Sequence, residues 1–177
     1  MSNARSVAYR LLKAVEFDDA YANLALPKLL RDARLDQRDT GLVQELAFGT
    51  IRWQGFYDRV IEIGAGRDIE DIDPEAKLVL RLGAHQLLRM RIPPHAALSE
   101  TVDLAKAVLK TNAAGFINGV LRRVSEADFD TWMLRLTKPV KDDTERLSIA
   151  YSHPVWIVRA LQQSLELDGR SDELEAL

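Results

Sequence analysis

Gly83-Ala-His-Gln-Leu-Leu88, Ile92-Pro-Pro-His-Ala-Ala-Leu-Ser-Glu-Thr-Val-Asp-Leu-Ala-Lys106 and Ala114-Gly-Phe-Ile-Asn-Gly-Val-Leu-Arg-Arg-Val124 together decide the fold. Their apolar residues recur at three and four, the spacing that lines one face of an α-helix. Pro93-Pro94 breaks the chain between the first two runs, and in the third Ile117, Val120, Leu121 and Val124 form the inward stripe. Helices are therefore expected over residues 95–109 and 112–125. Just upstream, Asp73-Pro74 is a cap followed by proline at the first helical position, opening a helix through Leu78, Leu82, Leu87 and Leu88 to about Met90.

Working further out, Val7, Ala8, Leu11, Leu12 and Val15 define a first helix, capped at Ser2 or Asn3 and ending near Glu16. Leu24, Leu26, Leu29 and Leu30 define a second, with Pro27 tolerated in its first turn. Asp36 caps a long third helix reaching Ile61. Gly41, Gly49 and Gly55 interrupt it, each costing about 1 kcal/mol against alanine, so they mark close helix approach or a kink. Beyond Ser125 come acidic turns, short helices over residues 131–136 and 143–150, and Ser152-His-Pro-Val-Trp156 opening one more. The tail Ser171-Asp-Glu-Leu-Glu-Ala-Leu177 starts a helix and stops mid-pattern, as a piece of a longer chain would. With no alternating strand pattern, the fold class is all-α: a helical bundle over residues 1–125 and a helical extension over 126–177.

A chain of 177 residues, nearly half of them apolar, closes one sizeable core. It contains no cysteine, which excludes disulfides, thiolate metal sites and a cysteine nucleophile. Arg5, Arg10, Lys13 and Glu16 interrupt the first helix, unlike a signal peptide, and no run approaches membrane-spanning length, so a cytoplasmic protein is expected. The net charge is −3, but it is unevenly spread. Residues 76–125 carry Lys77, Arg81, Arg89, Arg91, Lys106, Lys110, Arg122 and Arg123 against only Glu100 and Asp103, while residues 61–75 and 126–177 are acidic.

Several constellations have bland readings that win. Val60-Ile-Glu-Ile-Gly-Ala-Gly66 superficially matches a glycine loop that holds S-adenosylmethionine, but no helix follows at once, Asp68 replaces a third glycine, and helical periodicity runs in from upstream. A helix ending in a glycine turn is the better reading. His85, His95 and His153 are unpaired at ligand spacing and read as structural, with no metal expected. Asp18-Asp19 and Asp142-Asp143 belong to loops or helix starts. The basic face is a better signal. Lys77 and Arg81 are four apart, as are Lys106 and Lys110, so each pair projects from one side of its helix toward a possible phosphate, with Phe56 or Phe116 available to stack on bases. A solvated helical surface accounts for the same pattern equally well.

Glu75-Ala-Lys-Leu-Val-Leu-Arg-Leu-Gly-Ala-His-Gln-Leu-Leu88, the Ile-Pro-Pro-His segment, Gly-Phe-Ile-Asn-Gly-Val-Leu-Arg-Arg123 and the opening Ala4-Arg-Ser-Val-Ala-Tyr-Arg-Leu-Leu12 resemble the NusB family in order over residues 4–125. The resemblance implies an all-α RNA-binding fold of two packed helical subdomains. Free-standing members are transcription antitermination factors that bind boxA RNA with the ribosomal protein NusE. The Leu121-Arg-Arg123 ending, the acidic helices and Ser152-His-Pro-Val-Trp156 instead resemble the N-terminal region of the RsmB (Sun/Fmu) ribosomal RNA cytosine-5 methyltransferases, whose further catalytic domain uses S-adenosylmethionine and a cysteine.

On that resemblance, this chain is an RNA-binding region that helps dock ribosomal RNA for a catalytic domain it lacks, and is not itself an enzyme. Motif matching implies phosphate contact for Arg5 and Arg10, stacking for Phe56 and Phe116, and hydrogen bonding for Asn118. Charge adds Arg81, Lys106, Arg122 and Arg123. The alternatives are an antitermination factor and a helical protein-docking module, and pairing into a homodimer is open. The double change Arg5→Ala with Arg10→Ala is expected to weaken RNA binding while the domain stays folded.

Overall fold

The computed structural model describes residues 3–110 and 112–176, so the candidate cap Ser2 and the terminal Leu177 lie outside the described residues. Every regular element among them is helical. The chain divides into two compact units, one up to Phe129 and one from Asp130 onward.

The first unit is built around α5 (Pro74–Leu88). Asp73 accepts from the Ala76 amide at 3.0 Å and Pro74 occupies the first turn, as the sequence predicts. Every residue from Ala76 to Gln86 is buried, the polar ones included. Such a helix must find internal partners for Lys77, Arg81, His85 and Gln86. α5 packs on α3 (Gln37–Arg52), α4 (Gln54–Ala65), α6 (Pro94–Val108) and α7 (Ala114–Val124), and also on α1 (Asn3–Phe17), which itself lies on α2 (Ala22–Ala33) and α3.

Three glycine-dependent approaches draw the helices together. A Cβ on Gly49 would meet the His85 ring at 2.3 Å, one on Gly83 would meet Leu121 at 2.5 Å, and one on Gly64 would meet Val120 at 3.3 Å. The expected long third helix is in fact two: α3 stops at Arg52, Trp53 leaves helical geometry at φ −105° and ψ 14°, and α4 restarts at Gln54. The break lets Trp53 turn edge-on to Phe56 and Phe129, at 6.0 and 5.1 Å between ring centroids. The Arg89 guanidinium lies over Trp53 at 4.8 Å and over Phe129 at 4.5 Å, anchoring the last residue of this unit.

Pro27 is a second correction. It stands inside α2 rather than in its first turn, where it withholds one backbone hydrogen bond. Pro27 and Asn23, whose carbonyl loses that donor, are both exposed, so water can take its place.

In the second unit, α9 (Asp143–Ala150) is capped by Asp142, which accepts from the Glu145 amide at 2.7 Å. α10 (Val155–Leu167) packs on α9 and on the short 3-10 turn Ser171–Ala176 that replaces the expected tail helix. α8 (Phe129–Thr137) precedes them. Leu147, Ile149, Val158 and Leu165 are buried, whereas Trp156 and Leu167 are exposed.

Candidate nucleic-acid interface

Two of the eight basic residues of 76–125 are neutralised inside the first unit. Arg81, 4% exposed, gives two hydrogen bonds to the Asp58 carboxylate, at 2.7 and 2.9 Å, and a third to Glu16 at 3.3 Å. Lys77 reaches Glu70 at 3.3 Å. The expectation that these two project together toward phosphate is therefore corrected: the central helix buries both, and acids from α1, α4 and the 68–73 loop neutralise them. Arg5 is also buried. It donates to Gln86 Oε1 at 2.8 Å and lies 3.4 Å from Glu100, while the Gln86 amide donates to Thr101 Oγ1 at 3.0 Å and the Thr101 hydroxyl to the Ala97 carbonyl at 2.7 Å. This chain of polar groups ties α1 to α5 and α6. Phe56 is fully buried, 4.8 Å from Phe129 between ring centroids, so no face of its ring is open to a base.

The other sequence-selected residues stay at or near the surface. Arg10 is exposed on α1, and Lys106 is exposed on α6 with its ammonium 3.2 Å from Asp103. Four come together on α7: Phe116 and Asn118 are half-buried, Arg122 and Arg123 exposed. α7 shows why. Ile117, Val120, Leu121 and Val124 are buried against α4, α5 and α6, which turns Gly115, Gly119 and Arg122 outward, with Asn118 on one flank and Arg123 on the other.

Gly115 and Gly119 differ from the packing glycines. Both are exposed, and a Cβ built on either meets nothing within 4 Å. Each weakens α7 by about 1 kcal/mol relative to alanine without serving an internal contact. Beside them Arg123 donates to the Gly64 carbonyl at 2.9 Å at the end of α4, and Arg67 lies 5.1 Å over the Phe116 ring. Arg67 escaped the sequence reading because its place beside Phe116 arises only when α4 docks on α7. The result is a ridge of three guanidinium groups, an amide and a part-exposed aromatic ring around two bare helical positions, a donor-rich surface suited to an anionic, planar-based ligand.

The glycine pair Gly64-Ala-Gly66 ends α4. Gly66 adopts φ 66° and its amide bonds to the Glu62 carbonyl at 2.8 Å, while the Gly64 side is filled by Val120 and Val124. This is the helix terminus expected from the sequence. His85 is structural: its Nδ1 bonds to the Tyr57 hydroxyl at 2.7 Å and its Nε2 lies 3.3 Å from Glu45. Burial holds the imidazole below its usual pKa, partly opposed by the Glu45 carboxylate. Among the described residues no helix is long and apolar enough to cross a membrane.

Comparison with known proteins follows the same division. The chain is 40% identical over 98% of its length to a putative methyltransferase of Mycobacterium tuberculosis, and 36% identical over 90% of its length to ribosomal RNA small subunit methyltransferase B of Pseudomonas putida. It spans only 38% and 34% of those proteins. The solution structure of NusB from Aquifex aeolicus superposes with a TM-score of 0.62 at 20% identity, covering 80% of this chain and 95% of that one, which shows a shared all-α fold. The NusB family model matches residues 2–126, the span that holds α1 to α7 and the α7 ridge, and the chain belongs to the NusB family.

Proposed function

We propose that this chain binds RNA through the outward face of α7 and, within a longer protein, helps to dock ribosomal RNA for an S-adenosylmethionine-dependent cytosine-5 methyltransferase domain. The observation that carries the reading is the pair of solvent-open glycines, Gly115 and Gly119, flanked by Asn118, Arg122 and Arg123. Removing side chains there lets a sugar-phosphate backbone approach the helix while guanidinium groups meet its phosphates. The ribosomal RNA methyltransferases among its relatives, of which this chain spans about a third, support the ribosomal target and the longer protein. The chain contains no cysteine to serve as the nucleophile, so the methyl transfer would belong to that further domain.

The test is fluorescence anisotropy with fragments of small-subunit ribosomal RNA and with boxA RNA, each over a range of salt. Arg122→Ala, which removes an exposed side chain, should leave the fold intact, weaken ribosomal RNA binding and lower the salt slope by about one. No loss in Arg122→Ala or in the pair Arg122→Ala with Arg123→Ala would remove α7 from the site. Preference for boxA RNA that strengthens with NusE would instead assign the chain to antitermination. Salt-insensitive capture of a protein partner with no RNA affinity would make it a docking module.

A further inference from the structure

On the solvent edge of α1, Arg10, Lys13 and Phe17 follow one another at spacings of three and four. This edge runs into an open groove of 460 Å³ between the end of α1, the start of α5 and the end of α6. That volume falls within the range of small-molecule sites, about 300–1,000 Å³. Phe17, 44% exposed, Pro74 and Leu109 supply apolar wall. Asp73 and Glu75 bring carboxylates, and Lys13 and Lys110 bring ammonium groups.

Those polar groups are not equivalent. Asp73 uses Oδ1 to cap α5 and keeps its second oxygen. Glu75 accepts from Lys13 Nζ and, at 3.2 Å, from the Tyr9 hydroxyl; these contacts, led by Lys13, hold its carboxyl below the usual range, so it remains an ionised acceptor. Lys110 is exposed, and from the opposite rim its ammonium adds to the lowering of the Glu75 carboxyl. An exposed cation at one rim, acceptors on the floor and an aromatic wall match three parts of one ligand: a phosphate, a base amine and a base face.

We propose that this groove takes one nucleotide of a bound RNA strand and prefers a base with an exocyclic amine, with the phosphate on Lys110, the base against Phe17, and the amine donating to Asp73 or Glu75. The carboxylates set the preference, because cytosine offers an N4 amine where uracil presents a carbonyl oxygen that they repel. The inference rests on the RNA-binding reading but uses residues apart from the α7 ridge, so the two can fail separately.

The experiment compares three labelled heptamers on the 177-residue chain: all-uridine, the same with one central cytidine, and the same with central N4,N4-dimethylcytidine. The cytidine oligomer should bind at least about fivefold more tightly than the other two, the low end of a specific base contact. Asp73→Asn, which keeps a capping acceptor, together with Glu75→Gln should erase that preference, with circular dichroism confirming the helical fold. Lys110→Ala should weaken all three oligomers alike and lower the salt slope by about one. Equal binding of all three, or a preference that survives the carboxylate changes, would overturn the groove while leaving the α7 reading standing if Arg122→Ala still weakens binding. Absence of binding to any RNA would overturn both. Competition by cytidine monophosphate at matched concentration would give the groove to a free nucleotide and overturn its place on a strand.

Discussion

Replacing Gly49 by alanine puts a methyl group where the His85 imidazole already stands, since the added Cβ would lie 2.3 Å from both Cε1 and Nε2. Carbon contacts are comfortable at about 3.5–4.0 Å, so ring or helix must retreat by more than about 1 Å. The ring is not free to do so. It is 1% exposed and tied through Nδ1 to the hydroxyl of Tyr57, itself fully buried. Three effects set the sign. Alanine gains about 1 kcal/mol of helix propensity. Overpacking costs about 1–3 kcal/mol, and a buried Tyr57 hydroxyl deprived of its partner costs a further ~1–3 kcal/mol. The middle of these ranges is a net loss of about 3 kcal/mol, or about 6–12 °C in the thermal midpoint for a chain of this size. The assay is thermal and urea unfolding followed by far-ultraviolet circular dichroism. Gly115→Ala, with nothing within 4 Å, is the reference and should gain up to about 1 kcal/mol. A Gly49→Ala midpoint at or above that of the parent would refute the claim that α3 and α5 meet at this glycine.

Gly119→Ala should stabilise the fold by up to about 1 kcal/mol yet weaken RNA binding, a divergence that unfolding and anisotropy measured on one preparation will show; gain in both would mean that no ligand approaches α7 closely. Arg5→Ala and Arg10→Ala, treated as equivalent by sequence, should separate: the first loses about 2 kcal/mol of stability by leaving Gln86 Oε1 without its donor, while the second unfolds like the parent and lowers only RNA affinity. Stability should also fall with acid. The folded His85 pKa lies below its unfolded value of about 6.5, so the unfolded chain takes up the proton first. The contribution is complete above about pH 6.5 and is lost as pH falls, with a slope of at most about 1.4 kcal/mol per pH unit. His85→Gln should flatten that slope in urea titrations, and an unchanged slope would assign it to carboxylates.

Local chemistry was legible in the sequence wherever cause and effect lie within one turn. Asp73-Pro74 announces the start of α5, Gly66 the end of α4 and Asp142 the cap of α9, because each acts on a backbone group two to four residues away. Depth was not legible. Arg81 resembles any surface arginine until α5 proves to be enclosed by five other helices, and its partners Asp58 and Glu16 lie 23 and 65 positions away. Phe56 fits a motif for stacking, yet the break at Trp53 turns its ring into the core beside Phe129. The α7 residues fared better, since the stripe that buries Ile117 and Leu121 also dictates that Arg122 points outward. Arg67 and the groove beside Phe17 are products of docking between helices, and a single chain of letters carries no record of them.

The internal neutralisation of Lys77 and Arg81 bears on how fast this protein can find its ligand. Charges cancelled within a few ångströms by Glu70, Asp58 and Glu16 contribute little at a distance, so these two cations add nothing to the attraction felt by an approaching polyanion. Any steering must then come from the cations left at the surface, such as Arg10, Lys110 and Arg122, and association should slow as salt rises. Selectivity would reside in how long a complex lasts, written in short-range contacts on the ridge and in the groove.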